Sequence, residues 1–247
     1  MHDIYKKLEK YNNPEFKFEP IEHKYTLNGE PYISVTQFLS RFHTKFDELY
    51  WAKIKAEQAG ISVDEMLSRW KLLNSRANII GTATHEYIEN YYNKKFQEIP
   101  TDLDIVDRIN KFNIIYASRL HKLKPIKFEQ RVYSEKWKIS GTMDALFELN
   151  GNLIGDWKTN KEFTTDDDYK GRYNKLLYPF EEYYQNHLNE YSIQTSMYKL
   201  ILKEVGIDIK SAFLVHIGPN TEAKIHKTHD FSGILEKYLQ DEKNKLN

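Results

Sequence analysis

Three charged residues in the middle of the chain could do chemistry together: Asp144 in Gly141-Thr142-Met143-Asp144, and Asp156 with Lys158 in Asp156-Trp157-Lys158. Ile139–Leu149 alternates as a half-buried strand does. Met143, Ala145, Phe147 and Leu149 take one face, and Thr142, Asp144, Leu146 and Glu148 take the other. Leu153–Lys158 reads as the return strand, with Ile154, Asp156 and Lys158 on a common face, and Asn150-Gly151-Asn152 is the turn signal between them. A three-residue loop at 150–152 pairs Leu149 with Leu153. Asp144 then lies opposite Lys158 and Leu146 opposite Asp156, all on one face. A two-residue Asn-Gly loop would turn Asp144 away, since a one-residue slip flips every side chain, unless a bulge restored it. The same-face register is the one that makes chemical sense. Two neighbouring carboxylates are costly without a cation. A hard divalent ion prefers carboxylate oxygens and keeps water positions open. Such an ion polarises a phosphoryl oxygen and activates a water, while an adjacent lysine stabilises the developing negative charge or orients the water. Asp-x-Lys alone is common on exposed hairpins; the Gly-x-x-Asp strand and the turn before it are what point to metal-dependent phosphodiester hydrolysis.

The elements that must position these groups can be read outward from them. Phe128–Ser134 is a preceding strand that carries Glu129. Gly81-Thr82 opens a helix, Ala83–Asn93, on which His85, Ile88, Glu89 and Tyr92 share a face. Leu103–Leu123 is an amphipathic helix with Val106, Ile109, Phe112 and Tyr116 as its buried stripe. After the hairpin, Glu190–Glu204 forms a helix ending at Gly206. Its buried stripe is Ile193, Met197, Leu200 and Ile201, and Gln194 and Tyr198 lie one turn apart beside it. Lys210–Ile217 closes the sheet, with His216 in a structural role, and a helix follows Phe231. Asp166-Asp167-Asp168 lacks the spacing of a calcium loop and reads as solvated. Leu176–Leu188, broken by Pro179, is a connector or lid. Lys161, Lys170, Arg172 and Lys175 make this region the place for phosphate contacts.

The N-terminal third is expected to form a hairpin and a helical lobe. Strands Phe16–Pro20 and His23–Leu27 are followed by a turn at Asn28-Gly29 and by Pro31–Ser34. Ser34 or Thr36 caps a helix through Gln37–Phe42, and a second helix covers Phe46–Gln58. Ser62-x-x-Glu65 is a capping box opening a third, Val63–Leu73. Tyr50, Trp51 and Trp70 are expected in the core of this lobe, with base stacking as the functional alternative.

The ordered set His85, Gly141-x-x-Asp144, Asp156-x-Lys158 and Gln194-x-x-x-Tyr198 resembles the PD-(D/E)XK nuclease superfamily, closest to its RecB-like exonuclease branch, over roughly residues 80–217. The resemblance implies an α/β fold with a restriction-endonuclease-like αβββαβ core and mixed sheet, here residues 79–247, preceded by the mainly helical lobe of residues 1–78. It implies a Mg²⁺- or Mn²⁺-dependent deoxyribonuclease of recombination, repair or replication. An exonuclease on single-stranded DNA is favoured, and organisation of this kind is similar to phage-type and mitochondrial genome-maintenance exonucleases. Asp144, Asp156 and the Trp157 carbonyl would hold the metal with His85 as an added ligand. Lys158 would position the attacking water. Gln194, Tyr198, Thr142, Lys161 and Arg172 would contact the strand. Glu129 would bind a second metal or support Lys158, and Glu89 would orient a neighbour. A structure-specific endonuclease on the same core, or a non-catalytic nucleic-acid-binding subunit, are the alternatives. A helicase, recombinase or single-strand-binding protein would be a separate chain.

Composition bounds these readings. The 247 residues are 40% hydrophobic, 29% charged and 14% aromatic with 18 Tyr, which suits a globular protein. Lys+Arg and Asp+Glu both number 36, so this is not the strongly basic chain of a passive DNA coat. There is no cysteine, which excludes disulfides and the iron–sulfur cluster of some RecB-like nucleases. No apolar run suggests a membrane span or a secretory leader. The expected setting is intracellular and cytoplasmic, consistent with a phage-encoded source.

Overall fold

A computed structural model describes residues 2–20, 22, 24–168 and 174–246. It is mixed α/β, with one mixed sheet and a largely helical N-terminal region. In chain order the elements are α1 (His2–Leu8), β1 (Phe16–Glu19), β2 (Lys24–Leu27), β3 (Glu30–Ser34), α2 (Val35–Leu39), α3 (Glu48–Ala59), α4 (Val63–Tyr92) and α5 (Leu103–Ser118). Then follow β4 (Lys124–Ser134), β5 (Ile139–Glu148), β6 (Asn152–Lys158), α6 (His187–Lys203), β7 (Ile209–His216), β8 (Lys224–Lys227) and α7 (Ser232–Leu246).

The local signals act as their chemistry requires. Asn28 and Gly29 both take positive φ (53° and 80°) in the β2–β3 turn, the conformation a tight hairpin needs. Ser34 closes a capping box with Gln37 and starts α2. Asp47 caps α3, Ser62 caps α4 and Asn186 caps α6.

Two expectations are corrected. The helices Val63–Leu73 and Ala83–Asn93 are one 30-residue helix, α4, and the boundary drawn between residues 78 and 79 falls inside it. The intervening Asn74-Ser75 and Ile79-Ile80-Gly81-Thr82 are weak helix formers. Tertiary contacts hold them helical: Arg76 is bound to Asp102 and Asp104 at the start of α5, and Ile80 packs against Ile105 and Ile109. Gly81 sits where Thr159 Oγ1 would lie 3.3 Å from a Cβ, so the glycine lets α4 approach the chain just beyond β6. The α5 stripe is also rotated. Ile105, Arg108, Ile109, Phe112 and Ile115 are buried, whereas Val106 and Tyr116 lie half-buried on the flank. The α6 stripe of Ile193, Met197, Leu200 and Ile201 is buried as expected.

Strand β5 organises the sheet. One of its edges is paired with antiparallel β4 along its whole length. The other edge is shared: β3 pairs in parallel at Ile139 and Ser140, and β6 pairs antiparallel from Ala145 to Glu148. Gly141–Asp144 therefore lies between two partners on that edge. β6 continues the sheet through parallel β7 to β8. α2, α6 and α7 cover one face with Phe38, Met197, Leu202 and Leu235. α4 and α5 cover the other, where Ile88 and Phe112 meet Phe147, Trp157 and Val215. Among the described residues no helix is long and apolar enough to cross a membrane.

Candidate metal centre

The hairpin register differs from the expected one by one pair. Glu148 pairs with Asn152, Phe147 with Leu153 and Ala145 with Gly155. Continuing by one pair sets Asp144 across from Asp156, not from Lys158. The loop is Leu149–Asn150–Gly151 because Asn150 and Gly151 both take positive φ (53° and 125°). The Leu149 N–H then closes on Gly151 O at 2.9 Å. The shift moves each partner by two, so the two carboxylates and Lys158 still share a face.

At Asp144 a side chain takes over from the backbone ladder. Its Oδ2 accepts the Trp157 N–H at 2.8 Å. The Trp157 ring points to the opposite face against Phe112 and anchors this end of β6 over α5. The Trp157 carbonyl meets His85 Nε2 at 3.0 Å. A carbonyl only accepts, so Nε2 carries the proton and Nδ1 faces the carboxylates. His85 Nδ1 lies 3.6 Å from Asp144 Oδ2 and 3.8 Å from Glu129 Oε1. His85, Glu129 and Asp144 offer three ligand atoms all within 4.8 Å of one another.

Glu129 reaches this cluster from β4, opposite Asp144 in the β4–β5 register, with a positive φ of 45°. That conformation costs a non-glycine residue about 1–2 kcal/mol and is a common companion of functional positions. Sequence reasoning ranked Glu129 second; the structure sets it beside His85 and Asp144. Asp156 sits further back. It is buried, and its Oδ2 is 2.7 Å from Lys158 Nζ. That ion pair ties the buried oxygen to the ammonium.

The charges set each other's protonation. Burial opposes charging His85, but the Asp144 charge and a hydrogen bond to Glu129 outweigh it and raise the imidazole to about 9. Burial also pushes the Asp156 carboxyl up, opposed by the Lys158 charge. Burial disfavours the Lys158 ammonium, yet Asp156 and Asp144 hold its pKa above the ordinary lysine value.

The donor set fits a hard divalent cation. Two carboxylate oxygens, 3.6 and 3.8 Å from the imidazole nitrogen and within 4.8 Å of each other, can converge on bonds of about 2.1 Å. A cation there would replace the proton that now separates the His85 ring from two negative oxygens. Trp157 O is engaged with His85 in this arrangement, and Asp156 with Lys158.

α6 braces the lysine. Lys158 Nζ donates to Gln194 Oε1 at 3.3 Å and lies 4.2 Å from the Tyr191 ring centroid. Tyr191 was missed by the sequence reading, although 191, 194 and 198 repeat at helical spacing on one face. Tyr198 is buried, and its hydroxyl donates to Thr142 O at 2.8 Å. It satisfies the strand segment that neither β3 nor β6 pairs, and is not exposed for a substrate. The ring lies against Gly141, where a Cβ would be 2.8 Å from Tyr198 Oη. Thr142 Oγ1 shares a hydrogen bond of 3.1 Å with the Tyr25 hydroxyl from β2, a partner that no local signal reveals. Glu89 is half-buried, accepts from Asn93 and stands outside the cluster. Lys161 is exposed just past β6. Lys170 and Arg172 lie outside the described residues.

No family model and no curated protein matches this chain. One solved structure, "Crystal structure of SSO0001", aligns at 14% identity over 100% of this chain and 85% of that chain, with a TM-score of 0.31. A likeness of that size carries no argument about fold or activity.

Proposed function

We propose that this protein is a metal-dependent deoxyribonuclease with a restriction-endonuclease-like core, and that it acts as an exonuclease with single-stranded DNA favoured. The observation that carries the reading is the convergence of His85, Glu129 and Asp144, from α4, β4 and β5, beside a buried Asp156–Lys158 pair. The order of α4, β4, β5, β6, α6 and β7 matches the αβββαβ order of the PD-(D/E)XK nucleases, and the resemblance of the motifs supports the assignment to their RecB-like branch.

His85, Glu129 and Asp144 would hold Mg²⁺ or Mn²⁺, with Asp156 beside them paired to Lys158. A bound divalent ion supplies Lewis acidity toward a phosphoryl oxygen and a water of lowered pKa. Lys158 stays charged, orients the attacking water and stabilises charge growing on the phosphate oxygens. Gln194 and Tyr191 fix the ammonium in place, and Tyr198 fixes the strand that carries Asp144. Lys161 lies exposed beyond β6 and is suited to a flanking phosphate.

The test is digestion of end-labelled linear and circular DNA, single- and double-stranded, with Mg²⁺, Mn²⁺ or EDTA, using wild type and Lys158→Ala. Metal-dependent loss of linear DNA alone, abolished in the variant, is the expected result. Cutting of circles moves the reading to an endonuclease. Absence of cleavage on every substrate in both proteins removes the nuclease reading.

A further inference from the structure

A second polar groove lies away from the metal cluster, between α5 and the turn joining β7 to β8, with a volume of about 1160 Å³. Arg108 lines it with a side chain only 5% exposed. Arg108 Nη1 is committed to Asp107 Oδ2 at 2.5 Å, but its Nε has no hydrogen-bond partner among the described residues. Asp107 is not Arg108's alone, since Lys111 Nζ also closes on it at 2.7 Å. His226, whose buried Nε2 has no partner among the described residues, lines the same groove. Arg119 and Lys224 stand exposed at the rim. Four cations thus face Asp107 and Glu222, while Asp104 is turned to Arg76. A buried guanidinium donor without an acceptor is costly, and an oxyanion would satisfy it while neutralising the excess positive charge. Apolar surface in the groove comes from Ile114 and Ile225, both exposed large side chains, with Pro219 and Ala223, and neutral polar groups from Asn110, Ser118, Asn220 and Thr221. A ligand that matches this mixed lining carries an oxyanion for the cations and a flat, weakly polar ring for the isoleucines and the neutral polar side chains.

We propose that this groove binds a nucleotide unit, free or within a nucleic-acid strand, with its phosphoryl oxygens on Arg108, Lys111 and Lys224 and its base against Ile114 and Ile225. The volume is slightly above the roughly 300–1,000 Å³ of ordinary small-molecule sites, so a nucleotide unit fits with room to spare. The groove is also tied to the chain that leaves β6. The Ile217 N–H donates to Lys158 O at 2.7 Å, His216 Nε2 meets Asn160 O at 2.8 Å, and Lys111 holds Gly218 O at 2.8 Å. The groove shares no residue with the His85–Glu129–Asp144 cluster, so the proposal stands whether or not that cluster cleaves DNA.

The test is calorimetric titration in EDTA, so that the metal cluster does not contribute. The probes are deoxyadenosine monophosphate, deoxyadenosine, inorganic phosphate and a short single-stranded oligonucleotide. The monophosphate should bind at least about tenfold more tightly than the nucleoside, a difference of about 1.4 kcal/mol, and phosphate should compete with it. Lys224→Glu with Arg119→Glu, both on exposed positions, should weaken the monophosphate by about tenfold or more with an unchanged melting temperature. Arg108→Lys, which keeps the buried charge but removes the Nε donor, should weaken it also. A much tighter oligonucleotide than monophosphate, sensitive to the same variants, assigns the strand as the source; equal affinities assign the free nucleotide. Equal binding of nucleoside and monophosphate, no binding of any phosphate probe, or wild-type affinity in the rim variant overturns the proposal.

Discussion

Lys158 and Asp156 form a buried charge pair at the centre of the proposed site. The Asp156 side chain is 3% exposed and that of Lys158 16%, so each depends on the other for solvation. Lys158→Met should therefore destabilise the fold by about 3–5 kcal/mol by leaving a buried carboxylate alone. Adding Asp156→Leu should restore most of that loss in urea unfolding. Both variants should still lose cleavage by about 10²-fold or more, measured on end-labelled DNA. A single variant as stable as wild type would show that the pair is solvated. His85 adds a pH dependence. Its folded pKa of about 9 lies above the ordinary 6.5, so the folded state holds a proton that the unfolded chain releases earlier. The stabilisation is complete below about pH 6.5 and is lost as pH rises through 9, by about 3 kcal/mol. Unfolding in EDTA across that window should show the decline, and His85→Asn should flatten it. Addition of Mn²⁺ or Mg²⁺ should also abolish it, because the cation displaces the proton.

At the scale of elements, the decisive feature is the shared edge of β5. With β3 on one half and β6 on the other, Gly141–Asp144 needs other partners. It takes them from side chains: Tyr198 to Thr142 O, Tyr25 to Thr142 Oγ1, and Asp144 itself to Trp157 N. The glycine of Gly-x-x-Asp is thus a packing requirement of α6. Gly141→Ala would put a Cβ 2.8–2.9 Å from the Tyr198 ring and hydroxyl, forcing α6 outward. The expected cost is about 1–3 kcal/mol in unfolding free energy, with cleavage falling further than stability because Gln194 and Tyr191 leave Lys158. Tyr198→Phe in the same background distinguishes the two effects, since it removes only the hydroxyl. If Gly141→Ala is neutral in both assays, α6 does not brace the site.

Over the whole molecule, the N-terminal region is continuous with the rest. β3 joins β5, α4 carries both the Ser62 cap and His85, and Tyr11, Phe16 and Tyr25 share one core with α6 and α7. Thermal or urea unfolding should therefore be a single transition, followed equally by far-ultraviolet circular dichroism and tryptophan fluorescence. Two transitions would mean that the region before residue 79 folds on its own. The outer part of α3 and α4 is apolar on its surface: Phe46, Tyr50, Leu72 and Leu73 are each more than half exposed. Sequence reasoning had set Tyr50 and Trp51 in a lobe core. A two-helix layer has too little inner surface for every aromatic side chain along it: Ala52, Ala56 and Met66 form its buried centre, with Trp70 partly buried against them.

What could be read from the chain alone was local. Turn chemistry at Asn28-Gly29 and Asn150-Gly151, caps at Ser34 and Ser62, strand alternation through Asp144 and the apolar stripe of α6 all depend on neighbours a few residues away. For these, type and spacing suffice. The common face of Asp156 and Lys158 also followed, because the period of a strand is fixed; Asp144 joined it only through a loop length chosen on chemical grounds. The exact pairing did not, since two loops of equal length differ only in which residues take positive φ. Glu129 as a partner of His85, Tyr25 as a partner of Thr142, the unbroken course of α4 and the groove over Arg108 bring together residues tens of positions apart. Those contacts arise from how strands share edges and how helices seat on the sheet, and packing of that kind overrides local preference without leaving a pattern in the sequence.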